Sequence, residues 1–302
     1  MNAVENGSVN NMEDPLWPRI SDLLTADRNA SVALIGVPAH ETSISPTNAH
    51  TTPAAVRFAL KKYSTYSWTH DTDVSQFTIY DAPDVDSPDH DEGEQRVFTA
   101  MEPLRSKTVI AIGGDNSITY SVAKGLWGDR IATAGLVTVD AHHDLRDGKS
   151  NGSPVQRLIE SGLPGKNIVQ IGIADFSNSP AYARRAREHQ ITVIPRDVVK
   201  LDHLHDIVQR ALSVAGADGG PIHVDIDVDV CDRSVVPACP AAVPGGLTAQ
   251  ELRKLVYLFG SDPRVGSIDF TEVDAQADSA DARTVRLVAV CIAEFLAGVQ
   301  NR

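Results

Sequence analysis

A chain of 302 residues with 42% hydrophobic side chains is long enough to bury one large core. Its net charge of −13 and pI near 5.1 leave no basic surface for a nucleic-acid backbone. No apolar run is long enough to span a bilayer, the Asn-, Glu- and Ser-rich start is not a signal peptide, and three cysteines cannot all pair. The expectation is a cytoplasmic protein with neither nucleic-acid nor membrane partners.

Residues 1–15 are polar and read as a flexible arm, and 16–302 as one domain. The stretch 17–24 predicts a short helix with Pro18 in its first turn. The apolar run 31–38 predicts a buried strand that stops at Pro38. A Ser-, Thr- and Pro-rich loop follows to residue 50, and Thr52-Pro53 opens a helix carrying Val56, Leu60 and Tyr63. A second strand is expected at 77–81, and the acidic run 81–94 reads as a solvated loop. The strand 108–112 is broken by Gly113-Gly114-Asp115-Asn116-Ser117, where a glycine pair permits a tight turn before a helix begins near Ser117. The Lys-Ser/Thr of a phosphate loop is absent.

Next, Val137-Thr138-Val139 runs into Asp140-Ala141-His142-His143-Asp144. On a strand the period of two would project Asp140, His142 and Asp144 to one side and His143 to the other. Two carboxylates and an imidazole at a strand end suit a divalent metal, although an Asp-rich surface turn would read the same way alone. A polar loop to Ser153, a helix at 154–161, a strand at 168–173, a helix at 181–188, a strand at 191–194 and a helix at 204–215 complete the rhythm. Strand and helix in alternation argue for a three-layer α/β/α fold around a central parallel sheet, with ligands at the carboxyl ends of the strands.

The run Ile222 to Asp232 reads as a strand with Asp225, Asp227 and Asp229 on one face. Buried like charges cost several kcal/mol unless a cation neutralises them, so a purely structural account is poor. Adding Asp140, His142 and Asp144 gives more ligands than one ion needs and fits two divalent ions. Oxygen-rich ligation with little imidazole and no thiolate favours manganese. Cys231 and Cys239, flanking this cluster, read as buried fillers, since no paired base is evident.

In these segments the chain resembles the ureohydrolases, the family of arginase, agmatinase, guanidinobutyrase, proclavaminate amidinohydrolase and formimidoylglutamase. Their Gly-Gly-Asp-His-Ser appears as Gly113-Gly114-Asp115-Asn116-Ser117, and Asp-Ala-His-x-Asp is complete at Asp140–Asp144. Asp-x-Asp-x-x-Asp-Pro is present from Asp227 to Asp232 with Arg233 in place of proline. Pro-Gly-Gly-Leu-Thr falls at 244–248, and the late Asp-x-x-Glu-Val at Asp269 to Val273. The resemblance implies the arginase-like form of the fold and two Mn2+ per chain, bridged by Asp140 and Asp227. His142 and Asp229 would complete one site, and Asn116 and Asp144 the other. Asp144 would also bond the bridging hydroxide that attacks the C=N carbon, and Glu272 would bind the amidinium or guanidinium end of the substrate. It also implies a homo-oligomer, trimer or hexamer, in which Arg283 and Arg286 could serve a contact.

Two departures narrow the reading. Asn116 stands where a histidine ligand is usual, which would loosen one site or leave it part-occupied, unless Asn116 only caps the next helix. Asn151 stands where arginases and agmatinases carry a proton-shuttling histidine. Arg146 and Lys149, next to the metal motif, suit a small-molecule substrate with carboxylates at its far end, while Arg157 reads as a solvated loop charge. These features favour a formimidoylglutamase with Asp144 and Glu272 catalytic and Arg146, Lys149, Asn151 and Glu272 binding substrate. An amidinohydrolase of a carboxylate-bearing guanidino compound, releasing urea or hydroxyurea, is the alternative, and a non-catalytic relative the third.

Overall fold

The structure, a computed structural model, describes residues 14–302, so nearly all of the expected arm lies outside the described residues. In chain order the strands are β1 (Leu24–Thr25), β2 (Val32–Val37), β3 (Tyr66–Ser67), β4 (Thr72–Asp73), β5 (Ile79–Asp81) and β6 (Thr108–Gly113). They continue with β7 (Gly135–Val139), β8 (Ile168–Ile173), β9 (Thr192–Pro195), β10 (Ile222–Asp227) and β11 (Val265–Thr271). The helices are α1 (Thr52–Leu60), α2 (His90–Met101), α3 (Ile118–Trp127), α4 (Pro154–Glu160), α5 (Pro180–Glu188), α6 (Leu204–Ala215), α7 (Ala249–Gly260) and α8 (Arg283–Gln300).

Nine strands make one sheet in the order β1-β5-β2-β6-β11-β10-β7-β8-β9, with every neighbouring pair parallel. Parallel strands need covered crossovers, so both faces are buried and the strands read as unbroken apolar runs such as Val-Ala-Leu-Ile-Gly-Val in β2. Alternate residues divide between the faces. Leu34 packs with α1, α6, α7 and α8, and Ile35 joins the layer built on α2 and α3, which α4 and α5 extend. The expected three-layer architecture is therefore present. Among the described residues no helix is long and apolar enough to cross a membrane.

Two expectations fail locally, and two further long elements were not foreseen. Of 17–24 only Ile20–Leu23 coils, as a single 3-10 turn, and Leu24 and Thr25 pair with β5 at the sheet edge. The acidic run 81–94 is not all loop, because α2 starts at His90. Its Asp89 is consumed rather than solvated, accepting the backbone N–H groups of His40 and Glu41 at 2.9 and 2.8 Å. Strand β11 has no counterpart in the strands expected from the sequence, and neither has helix α7 among the helices. The helix does carry a capping box, in which Thr248 Oγ1 accepts the Glu251 N–H and Glu251 accepts the Thr248 N–H.

Candidate metal centre and active site

The four central strands β6, β11, β10 and β7 end on one edge of the sheet, and the residues that follow them converge there. The turn after β6 demands glycine, since a Cβ on Gly114 would lie 1.9 Å from the Ala39 carbonyl oxygen. Asp115 ties this turn down by accepting bonds from the Ser117 N–H and hydroxyl and from the Ser43 hydroxyl. Asn116 and, from the end of β11, Glu272 are thereby brought together: the Asn116 N–H donates to Glu272 Oε1 at 2.8 Å.

The Asp-x-His-x-Asp run does not lie on a strand. β7 stops at Val139, and a turn gathers the ligands: the His142 N–H donates to Asp140 Oδ1 at 2.7 Å, the Ala141 N–H to Asp229 Oδ1 at 3.1 Å, and Asp144 sits at φ +52°. β10 likewise ends at Asp227, whose Oδ1 accepts the Asp229 N–H at 2.8 Å as the chain enters a 3-10 turn. Asp229 thus reaches the site by a turn rather than by strand alternation. Asp225 does not reach it at all. It is one residue pair deeper, in register with Thr138 and Asp269 on either side and fully buried, and among the described residues neither of its carboxylate oxygens has a hydrogen-bond partner.

Asp144, Asp227, Asp229, His142 and Glu272 line a pocket of about 270 Å³. Asp140, His142 and Asp229 each point a ligand atom into a space where those atoms lie within 4.8 Å of one another, and His142 Nδ1 is 2.7 Å from Asp229 Oδ2. Burial, then the charge of Asp229, pushes Asp140 up to about 6. Burial together with Asp140 raises Asp144 well above the carboxylate range, and burial together with Asp229 does the same to Asp227. Burial alone would raise Asp229 too, but the neighbouring His142 holds it below its ordinary value. Burial opposes the charged form of His142, yet Asp229 and Asp140 hold its pKa up to about 12. Glu272 is lifted to about 8 by burial and by Asp115. This much repelling charge around a single imidazole, with Asp140 Oδ2 buried and unbonded, suits divalent cations between the carboxylates.

Of the expected substrate residues, Asn151 is in the pocket and donates from Nδ2 to Glu272 Oε1 at 2.9 Å, while its Oδ1 accepts the Ile44 N–H at 3.0 Å. Arg146 lies at the mouth. Lys149 does not line this pocket; it pairs with Asp91 of α2 beside a separate acidic cavity of about 760 Å³. Arg157 is not solvated: its two terminal nitrogens each sit 2.7 Å from a Glu94 oxygen, and its guanidinium stacks 3.7 Å over the Tyr120 ring. Asn116 is buried and does not cap α3. Its Nδ2 donates to Asp144 Oδ2 at 2.5 Å, and Oδ1 takes the hydroxyls of Thr119 and Thr271. Because hydroxyls both donate and accept, a flipped amide would keep its two threonine partners and turn its oxygen toward Asp144 and a cation.

Burial raises all three cysteine thiols, which fits fillers rather than nucleophiles. Asp232 and Arg233 organise the adjoining loop: Asp232 accepts from Ser234 and Gly245, which with the Ser234 bonds foremost lowers it to about 2, and Arg233 grips the Cys239 and Pro240 carbonyls. The sequence reading missed Ile44, Ser45, Ser177, Asn178, Ser179 and Tyr182 of the pocket. The signal for the last four was Pro180 in the first turn of a helix just past the end of β8, with Ser179 as its N-cap.

The profile of the arginase family matches residues 30–298. Formimidoylglutamase of Bacillus subtilis (strain 168) is 34% identical over 296 residues, covering 93% of this chain and 92% of that protein. Formimidoylglutamase of Halalkalibacterium halodurans is 34% identical over 276 residues, 88% and 86% respectively. The crystal structure of the B. subtilis protein superposes with a TM-score of 0.89 at 33% identity, covering 99% of this chain and 96% of that one. Trypanosoma cruzi formiminoglutamase, described with Mn2+2, gives 0.85 at 26% identity over 95% and 99%.

Proposed function

Since the chain belongs to the arginase family, we propose that it hydrolyses the C–N bond of N-formimidoyl-L-glutamate, releasing glutamate and formamide. The observation that carries this reading is the charge gradient of the pocket. Its floor is anionic, with Glu272 among the metal-site carboxylates, and its mouth carries Arg146 and the Ser177 and Ser179 hydroxyls. A substrate with an amidinium at one end and two carboxylates at the other fits that gradient in one orientation only, and a dication such as agmatine would place positive charge against Arg146.

In this reading Asp140, Asp227, His142, Asp229, Asp144 and Asn116 would together hold two manganese ions. The ions, when bound, neutralise the carboxylates and acidify a shared water. Glu272 Oε2, left free by the bonds at Oε1, receives the amidinium. Asp144 is the group placed to hold the proton on its way from water to the departing amine. Asn151 orients Glu272 and carries no proton itself. We assign the catalytic unit to residues 16–302 and expect a cytoplasmic homo-oligomer, trimer or hexamer.

A substrate panel tests the assignment. With added manganese, formimidoylglutamate should turn over with release of formamide, and arginine, agmatine and guanidinobutyrate should be at least a hundredfold poorer in kcat/KM. Urea release from any of these three at a higher kcat/KM would overturn it.

A further inference from the structure

The loop that carries His142 and Asp144 is held by two amide side chains from outside it. Gln170, fully buried on β8, donates from Nε2 to the His143 carbonyl at 2.9 Å, and its Oε1 lies 2.7 Å from the ring Nδ1 of the same residue. Asn178, just before α5, accepts the His143 N–H at Oδ1 at 2.9 Å and donates from Nδ2 to the Ala141 carbonyl at 2.9 Å. Because a carbonyl only accepts, the amide of Gln170 can stand only one way round, so its oxygen faces the ring and His143 carries its proton on Nδ1. Residue 143 is therefore clamped at its N–H, its C=O and its ring, while the residues on either side of it face the pocket.

The clamp matters because no regular element holds this segment. β7 has ended, no helix has begun, and Asp144 adopts a left-handed φ of +52°, a conformation that costs a non-glycine residue energy. Beyond it, the Asp144 carbonyl is taken by the Gln156 N–H, and the Leu145 carbonyl by Arg185 of α5.

We infer that Gln170 and Asn178 are positioning residues for the metal centre: by fixing the peptide of His143 between them, they set the spacing of His142 and Asp144. The inference rests on the reading of those two residues as ligands of the manganese ions. Outer-shell partners of this kind commonly change metal affinity ten- to a hundredfold when removed.

The test is Gln170→Leu in the full chain, with the Mn2+ dissociation constants measured by equilibrium dialysis and KM for formimidoylglutamate measured at saturating manganese. The expected result is at least a tenfold weaker Mn2+ affinity with KM within twofold of the parent. A purely structural role would lower the melting temperature and leave the Mn2+ affinity of the folded chain within twofold, and that result would overturn the inference. Asn178→Ser, at a half-exposed position, carries the Mn2+-affinity measurement from the other end if Gln170→Leu does not fold, without the KM comparison because Asn178 lines the pocket. Failure of the parent chain to bind Mn2+ at all would instead remove the ligand reading on which the inference stands.

Discussion

Glu272 is a carboxylate that the surrounding chain would rather keep neutral. It is buried near Asp115 and Asp229, and among the described residues two donors, both on Oε1, offset the cost. A glutamine there keeps both bonds and loses only the charge. Glu272→Gln should therefore leave the melting temperature of the manganese-free protein unchanged or higher. It should lower kcat/KM about a hundredfold, the ~3 kcal/mol that a charged hydrogen-bond partner is worth. Steady-state kinetics beside a thermal scan check both halves. Gly152 tests the mouth of the pocket in the same way. A Cβ at that position would come within 2.7 Å of Arg146 Cδ and 3.1 Å of Ile44 Cδ1, both parts of flexible side chains. Gly152→Ala should thus fold with normal stability but displace the guanidinium. KM for formimidoylglutamate should rise severalfold with kcat within about twofold, and an unchanged KM would show that Arg146 does not meet the substrate.

At the level of elements, the helix after the active-site loop is tied to α2 by an ion pair between a buried arginine and a half-buried glutamate. Arg157 on α4 meets Glu94 on α2 with both terminal nitrogens and stacks on Tyr120 of α3. Glu94→Ala leaves that guanidinium buried and unpaired and should cost about 3–5 kcal/mol in denaturant unfolding. Replacing both members by methionine should recover most of the loss, because the desolvation of both charges disappears together. None of this was visible in the sequence, where Arg157 is one more charge in a polar stretch and Glu94 one more acid in an acidic run. Pairing across helices has no sequence period. Most of the long strands were legible for the opposite reason: burial on both faces leaves apolar runs, and the ends of β6, β7 and β10 led to site residues, whereas β11, with Gly266, Ser267 and Asp269 in it, was not read as a strand. Period two failed where it was extended past Val139 and Asp227, since strands stop at the sheet edge and turns bring Asp144 and Asp229 inward. It also could not tell Asp225, one layer too deep, from Asp227. Gln170 and Asn178 were silent because a lone amide carries neither a pattern nor a charge.

Across the whole molecule, the sheet gathers carboxylates from positions as distant in the chain as Asp140, Asp229 and Glu272 into one buried space, in a protein that already carries a net charge of −13. The pH dependence of stability without metal follows from that concentration. Asp140 at about 6 and Glu272 at about 8 hold protons in the folded state that they lose in the unfolded state above pH 4 to 5. His142 acts in the same sense: its stabilising contact is complete below the ordinary histidine range and is lost as pH climbs toward about 12. Asp144 and Asp227, which burial raises well above the carboxylate range, act in the same sense, and the lowered Asp229 is ionised in both states above pH 6 and so contributes no slope there. Wherever the folded chain binds more protons than the unfolded chain, stability falls as pH rises. The manganese-free protein should therefore melt several degrees lower at pH 9 than at pH 6, as read by thermal scans in chelator. Manganese should restore more at pH 9 than at pH 6, because ligands must shed protons to bind it and have fewer to shed at the higher pH. A metal-free protein that melts higher at pH 9 would mean that the buried acids are neutralised by something other than shared protons and cations.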